Sequence, residues 1–506
     1  MQLRSFIGRL VLAAGFSLTP TAVVLAEVSV PNIFSDHMVL QRDQKNRVWG
    51  KAAASEKVTV TIAGQTKDTT AGADGMWQVE LDPLPAGGPH ELVIKGSNEI
   101  KIADILVGEV WICSGQSNMQ WSVNNSTNAD LERLAASNPQ LRMINFPQVG
   151  AQEPIWEHKA SQWKLTTPEN VGTFSAVGYF FGRQLQETIN VPVGLINNAW
   201  GGSACEAWIN RDVLAADEKY QPLLERWKGM ESEFTALSAK ADLSEDEKKK
   251  LQGLRGQMGG NQRPANIYNG VLKSHLGYGI RGAIWYQGES NAGRAYQYRD
   301  LFPLMIDNWR KEWKQGSFPF YWVQLADFRD EKAEPAESDW AELREAQTMT
   351  MTKLPHTGEA VIIDIGEGKD IHPMNKLEVG RRLARWALAN EYKVDVPFHS
   401  PQYKSMEKSE KGIVLSFDHV AGGWRPFDVN EPRGFAIAGE DKKFVWAKAT
   451  IQKDGRIEVS SPEVANPVAV RYAWADNPVC NMFSKAGLPL TPFRTDDWPG
   501  VTINNK

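Results

Sequence analysis

Five short apolar runs, separated by longer stretches of helical texture, decide what this 506-residue chain can become. They are Ile105-Leu106-Val107 continuing into Val110-Trp111-Ile112-Cys113, then Val191–Ile196, Gly282–Tyr286, Phe318–Leu325 and Ala360–Asp364. Runs with no polar alternation belong to strands buried on both faces. Between them, Ser175 to Thr188 carries Val177, Phe180, Phe181 and Leu185 at helical spacing. Lys376 to Asn390 does the same with Leu377, Gly380, Leu383, Ala384 and Ala387. Buried strands joined by long helices predict a parallel α/β sheet with crossovers, over about 104–392.

Both flanks have a different texture. From 27 to 103, Lys57–Ile62, Met76–Leu81 and His90–Lys95 alternate and are punctuated by turns such as Ala73-Asp74-Gly75, the pattern of a small β-sandwich. From 393 to 506, Gly412–Phe417, Lys443–Trp446, Arg456–Val459 and Val468–Trp474 predict a second β-rich unit. The highly charged stretch at about 214–260 reads as a solvated helical hairpin inserted in the α/β domain. Residues 1–26 have the form of a signal peptide, with Arg4 and Arg9, an apolar stretch from Leu10 to Phe16, and Val24-Leu25-Ala26 before the cut. Ser17, Thr19 and Pro20 stop that stretch well short of the roughly 20 residues a membrane span needs. The mature protein is therefore expected to be exported, periplasmic or secreted, with no membrane association after cleavage.

Charge and metal chemistry narrow the function. Lys plus Arg is 56 against 61 Asp plus Glu, and no basic block stands out, which argues against a nucleic-acid partner. Cys113, Cys205 and Cys480 fit neither a zinc knuckle nor a CxxC pair, and the eight histidines include no HxH or HExxH. The expected chemistry uses no metal and no cofactor.

Four segments, each following a predicted strand, carry groups suited to acyl transfer, and open α/β sheets gather ligands at those strand ends. In Ser114-Gly115-Gln116-Ser117-Asn118-Met119, Gly115 permits a tight turn, and Ser117 at a helix start could attack a carbonyl while its own N–H steadies the oxyanion. Position 119 is not glycine, so this is not the G-x-S-x-G elbow. In Asp370-Ile371-His372-Pro373, an imidazole to take the serine proton lies two residues from a carboxylate that could orient it. Gly201 and Gly202 in Asn198–Ser203 could bring backbone N–H groups close to a ligand. Gln287 or Asn291 in Trp285–Asn291 could supply a side-chain amide.

Ser-Gly-Gln-Ser-Asn-Met (114–119), Trp-Gly-Gly-Ser-x-x-Glu-Ala-Trp (200–208), Trp-Tyr-Gln-Gly-Glu-Ser-Asn (285–291) and Asp-Ile-His-Pro (370–373), in this order, resemble the sialate O-acetylesterase group of the SGNH hydrolases. The likeness extends through Val30–Gln41 and Pro492–Trp498 to nearly the whole mature chain. The resemblance implies a three-layer α/β/α domain and a serine esterase that removes acetyl groups from sugar hydroxyls. It makes Ser117 the nucleophile, His372 the base and Asp370 its orienting acid. The oxyanion donors it implies are the Ser117 N–H, a glycine N–H from 201–202, and an amide from Gln287 or Asn291, with Gln287 favoured.

The expected partner is an acetylated mono-, oligo- or polysaccharide, from sialic acid to hemicelluloses such as xyloglucan or xylan. The competing readings are a carbohydrate-binding protein without catalysis, and a glycoside hydrolase, which would need two carboxylates about 5–10 Å apart.

Overall fold

The computed structural model describes residues 27–506, and the expected signal peptide at 1–26 lies outside the described residues. Seven strands form the catalytic part of the main sheet: β1 (Glu99–Gly115), β2 (Asn138–Asn145), β3 (Lys164–Thr166), β4 (Val193–Asn197), β5 (Gly282–Tyr286), β6 (Phe320–Val323) and β7 (Thr357–Ala360). Their spatial order is β7-β6-β5-β1-β4-β2-β3, and every pair is parallel except β2 with β3. The helices used below are α1 (Ser117–Gln120), α2 (Ala176–Ile189), α3 (Gln221–Ala239), α4 (Glu245–Met258), α5 (Ala295–Trp313), α6 (Asp339–Lys353) and α7 (Lys376–Asn390).

Alternation along the strands assigns each helix to a face. Trp111, Cys113, Leu195, Ile284 and Tyr321 share one core cluster with α2 and α7. Ile112, Ile196, Ala283, Trp285, Phe320 and Trp322 share the other with α5 and α6. The result is the three-layer α/β/α arrangement expected for this chain. Ser175 caps α2, its Oγ accepting from Gly178 N–H, and Asn375 caps α7 in the same way through Glu378 N–H.

The flanking units are antiparallel. On the N-terminal side, Lys57–Ile62 pairs with Gln65–Thr70 and with Gly87–Lys95, and faces the pair Asn46–Lys51 and Met76–Leu81 across a shared core. On the C-terminal side, two four-stranded sheets enclose Ile413, Leu415, Ile437, Val459 and Val470. β1 continues through residues 103–104, where the sequence texture changes and Asp104 takes a left-handed φ of +53°. Its first half pairs with Gly87–Lys95, and its second half is the centre of the α/β sheet. The charged stretch forms the helices α3 and α4, which bury little beyond Leu223, Leu251, Leu254 and Met258.

One strand lies elsewhere than its apolar run suggests. β7 ends at Ala360, and Val361 and Ile363 instead pack into the C-terminal core beside Ile413 and Leu415. Their hydrophobicity serves an interdomain contact rather than the sheet. The three cysteines are free thiols, and among the described residues no helix is long and apolar enough to cross a membrane.

Candidate active site

The site forms where β1, β4, β5 and the segment after β7 end side by side. Gly115 closes β1 at φ +131°, and a Cβ there would sit 2.2 Å from Tyr286 O, so no other residue fits this turn. Gln116 N–H then donates to Tyr286 O, and Ser117 begins α1 with no intrahelical acceptor for its own N–H.

Across from it, His372 Nε2 lies 2.8 Å from Ser117 Oγ. Asp370 Oδ1 is 3.5 Å from His372 Nδ1 and also accepts from the His372 backbone N–H at 2.9 Å. The Trp121 ring stacks on the imidazole with centroids 4.6 Å apart and planes 10° from parallel, which fixes the ring's tilt. Burial lowers the His372 pKa below its ordinary 6.5, the nearby Lys376 charge lowers it further, and Asp370 opposes both. The structure therefore brings together the three side chains nominated from sequence, with the serine–histidine contact tighter than the histidine–aspartate one.

Gly201 lies against the serine, where a Cβ at 201 would meet Ser117 Cβ at 3.3 Å. Its N–H donates to Gln120 Oε1 at 2.7 Å. Gly202 has φ +71°, and the carbonyls of Gly201 and Gly202 accept from the side chains of Asn261 and Gln262. Both glycine carbonyls are thus tied to one partner segment, which holds the turn in place.

Of the two expected side-chain amides, the favoured Gln287 needs correction, because both of its N–H groups are engaged elsewhere. Gln287 Nε2 donates to Ser203 O at 3.1 Å and to Asn291 Oδ1 at 2.7 Å, while its Oε1 accepts from Tyr298 OH. Asn291 Nδ2 donates to Glu206 Oε2, and its Oδ1 also accepts from Cys205 N–H. Both amides are buried, and Gln287 has no N–H left to offer an oxyanion. They hold the segment carrying Gly201 and Gly202 against the end of β5, a structural role that spacing alone does not distinguish from a catalytic one.

The structure adds residues that the motifs did not single out. A cleft of about 660 Å³ opens on Ser117 and His372, lined also by Trp121, Asn125, Asn145, Gln148 and Asn197. Apart from His372, no side chain lining this cleft is ionisable. Asn145 and Asn197 are register partners at the ends of β2 and β4, and Asn197 Nδ2 donates to Asn145 Oδ1. Among the described residues no group of three or more His, Cys, Asp or Glu side chains is placed so as to hold a metal ion.

Such a cleft, with a hydroxyl and an imidazole in contact at strand ends, suits acyl transfer, and relatives with known activities bear on that. Residues 107–240 and 262–389 match the family described as carbohydrate esterase, sialic acid-specific acetylesterase. The sialate O-acetylesterase of Mus musculus is 29% identical over 513 residues, covering 90% of this chain and 92% of that protein. The Homo sapiens protein of the same name is 28% identical, covering 93% of each. A carbohydrate acetylesterase from Xanthomonas citri, known from its crystal structure, is 37% identical with a TM-score of 0.81, covering 93% of this chain and 100% of that one. Likeness of this extent makes the chain a member of the sialic acid-specific acetylesterase family of carbohydrate esterases, and the protein a carbohydrate acetylesterase, a carboxylic ester hydrolase.

Proposed function

We propose that the protein is an exported enzyme that removes acetyl groups from uncharged plant polysaccharide, of the xyloglucan or xylan kind, by double displacement at Ser117. The single observation that carries the mechanism is the 2.8 Å contact between Ser117 Oγ and His372 Nε2. As Ser117 Oγ forms its bond to the acetyl carbon, its proton passes to His372 Nε2 and the carbonyl electron pair moves onto oxygen. That oxyanion is met by the Ser117 N–H and the Gly201 N–H, the latter released as the substrate oxygen replaces Gln120 Oε1. Collapse breaks the bond to the sugar oxygen, which takes the proton from His372. Water then attacks the acetyl carbon, giving a proton to His372, and collapse breaks the bond to Ser117 Oγ, which takes that proton from His372 as acetate leaves. Asp370 closes on Nδ1 as the imidazolium forms, since catalytic hydrogen bonds often tighten only in the transition state.

The substrate reading rests on the lining of the cleft. Amides, hydroxyls and aromatic rings at Asn125, Asn145, Gln148, Asn197, Ser122 and Trp121 suit the hydroxyls and faces of neutral sugars. A sialic acid carries a carboxylate, which a site usually meets with an arginine or lysine, and the cleft lining contains neither. Acetate release is therefore expected to be faster from acetylated xyloglucan oligosaccharides or xylan than from 9-O-acetyl-sialic acid, with no new reducing ends formed. Preference for the sialic acid would reverse the substrate assignment, and new reducing ends would reveal glycosidase action.

A pH profile checks the base. His372 acts as neutral imidazole and its pKa is lowered from 6.5, so kcat/KM should fall as pH drops, with the midpoint of the acid limb below 6.5. An acid limb centred above 6.5 would contradict the assignment of His372.

A further inference from the structure

Beneath the serine–histidine pair lies a buried cation that the reaction above leaves unused. Lys376, the first residue of α7, is fully buried. Its Nζ donates to Asn118 Oδ1, a neutral acceptor. The ammonium lies 5.9 Å from the ring centre of Trp121, the ring stacked on His372, and 5.4 Å from that of Tyr286. Asn118 follows Ser117 directly in α1, and its Nδ2 donates to Ile371 O at 2.9 Å and to Glu289 Oε1 at 2.7 Å. One side chain thus links the residue after the serine, the residue before the histidine, and the β5 segment.

The same chamber holds two polar atoms that are buried without a partner, Glu289 Oε2 and Tyr286 OH. A lysine retained for stability alone would be expected in a closed set of ion pairs, because a buried charge is costly when incompletely compensated. Polar groups left unsatisfied around it mark a functional device instead. We infer that Lys376 is a positioning residue of the esterase reaction, clamping the His372 loop to the Ser117 helix through Asn118 and setting a positive charge close to the Trp121 ring that stacks on His372. This rests on the assignment of Ser117 and His372 made above.

The charges around the pair give the sign of the effect. Lys376 faces Glu289 from the β5 segment and Glu367 and Asp370 from the loop before α7, while burial pushes its own pKa down to about 7. His372 faces Asp370 and Lys376, with Asp370 favouring imidazolium and Lys376 opposing it. While protonated, Lys376 keeps His372 in its neutral, proton-accepting form at mildly acidic pH. It does so by the same repulsion that any two cations in a low-dielectric site exert.

The test is the pH profile of kcat/KM for p-nitrophenyl acetate, whose leaving group carries no sugar for the cleft to bind, in Lys376→Gln and Lys376→Met. The Gln variant keeps a donor for Asn118 and loses the charge. Its plateau should stay within about threefold of wild type while the acid limb moves up by about half a pH unit or more. The Met variant loses both, and its plateau should fall about tenfold or more with the same limb shift. A folded Lys376→Gln whose acid limb coincides with wild type overturns the inference. Failure of both variants to fold also overturns it, by assigning Lys376 to the fold alone. Ser117→Ala, run beside them, separates the two levels: activity in that variant removes the underlying mechanism, whereas an inactive Ser117→Ala beside an unmoved acid limb removes only the role of Lys376.

Discussion

Replacing Ser117 by Ala is expected to lower kcat/KM for acetate release by about 10³-fold or more, leaving the residual rate that binding and the oxyanion donors alone can support. Its hydroxyl is the atom in contact with His372 Nε2, and the variant keeps Gly115, the turn and the backbone N–H in place. Ser117 is partly exposed, so losing its Oγ should change stability by no more than about 0.5 kcal/mol. Steady-state acetate release and a thermal melt on the same preparation check both halves. Activity within tenfold of wild type, with an unchanged melt, would take the nucleophile away from Ser117.

His372→Ala should cost a comparable factor, again about 10³-fold or more, with a different signature. Without a base at 2.8 Å, Ser117 depends on hydroxide for deprotonation, so the residual rate should climb with pH, by up to about tenfold per unit, where the wild type shows a plateau. Trp121 also loses the ring it stacks on, which makes a modest loss of melting temperature part of the expected result. The decisive reading is the pH dependence of the residual rate. A variant that kept a wild-type plateau would show that another group accepts the serine proton.

Much of the site was legible because its chemistry sits where strands end. The apolar runs located β1, β4 and β5, and the glycines and the serine after them stood out against them, as did His372 in the segment after β7. β2 was missed because Asn138-Pro139-Gln140 opens it and Arg142 interrupts its apolar residues, so it lacks the look of a buried strand. With it went Asn145, and the pairing of Asn145 with Asn197 that helps line the cleft. Gln287 could not be read correctly, because whether an amide points at a ligand or saturates its neighbours depends on Ser203, 84 residues away, and on how α5 turns Tyr298 back onto it. Lys376 carries a signal that was there to be used, a lysine four residues after His372, yet its burial beneath Trp121 needs the fold to become visible.

The strand shared by two sheets also has a consequence for how the chain is made. The N-terminal strands that flank the first half of β1 precede it or adjoin it in sequence, so this sheet can assemble as soon as residue 115 has emerged. The second half of β1 then stands as an open template, waiting for β4 and β5, which are synthesised far later. Closing such long loops is slow and exposes an apolar edge in the interval. The small N-terminal sandwich therefore acts as a built-in scaffold that presents the central strand to the partners that complete the esterase. Deleting it should leave a chain that is synthesised but does not become soluble enzyme.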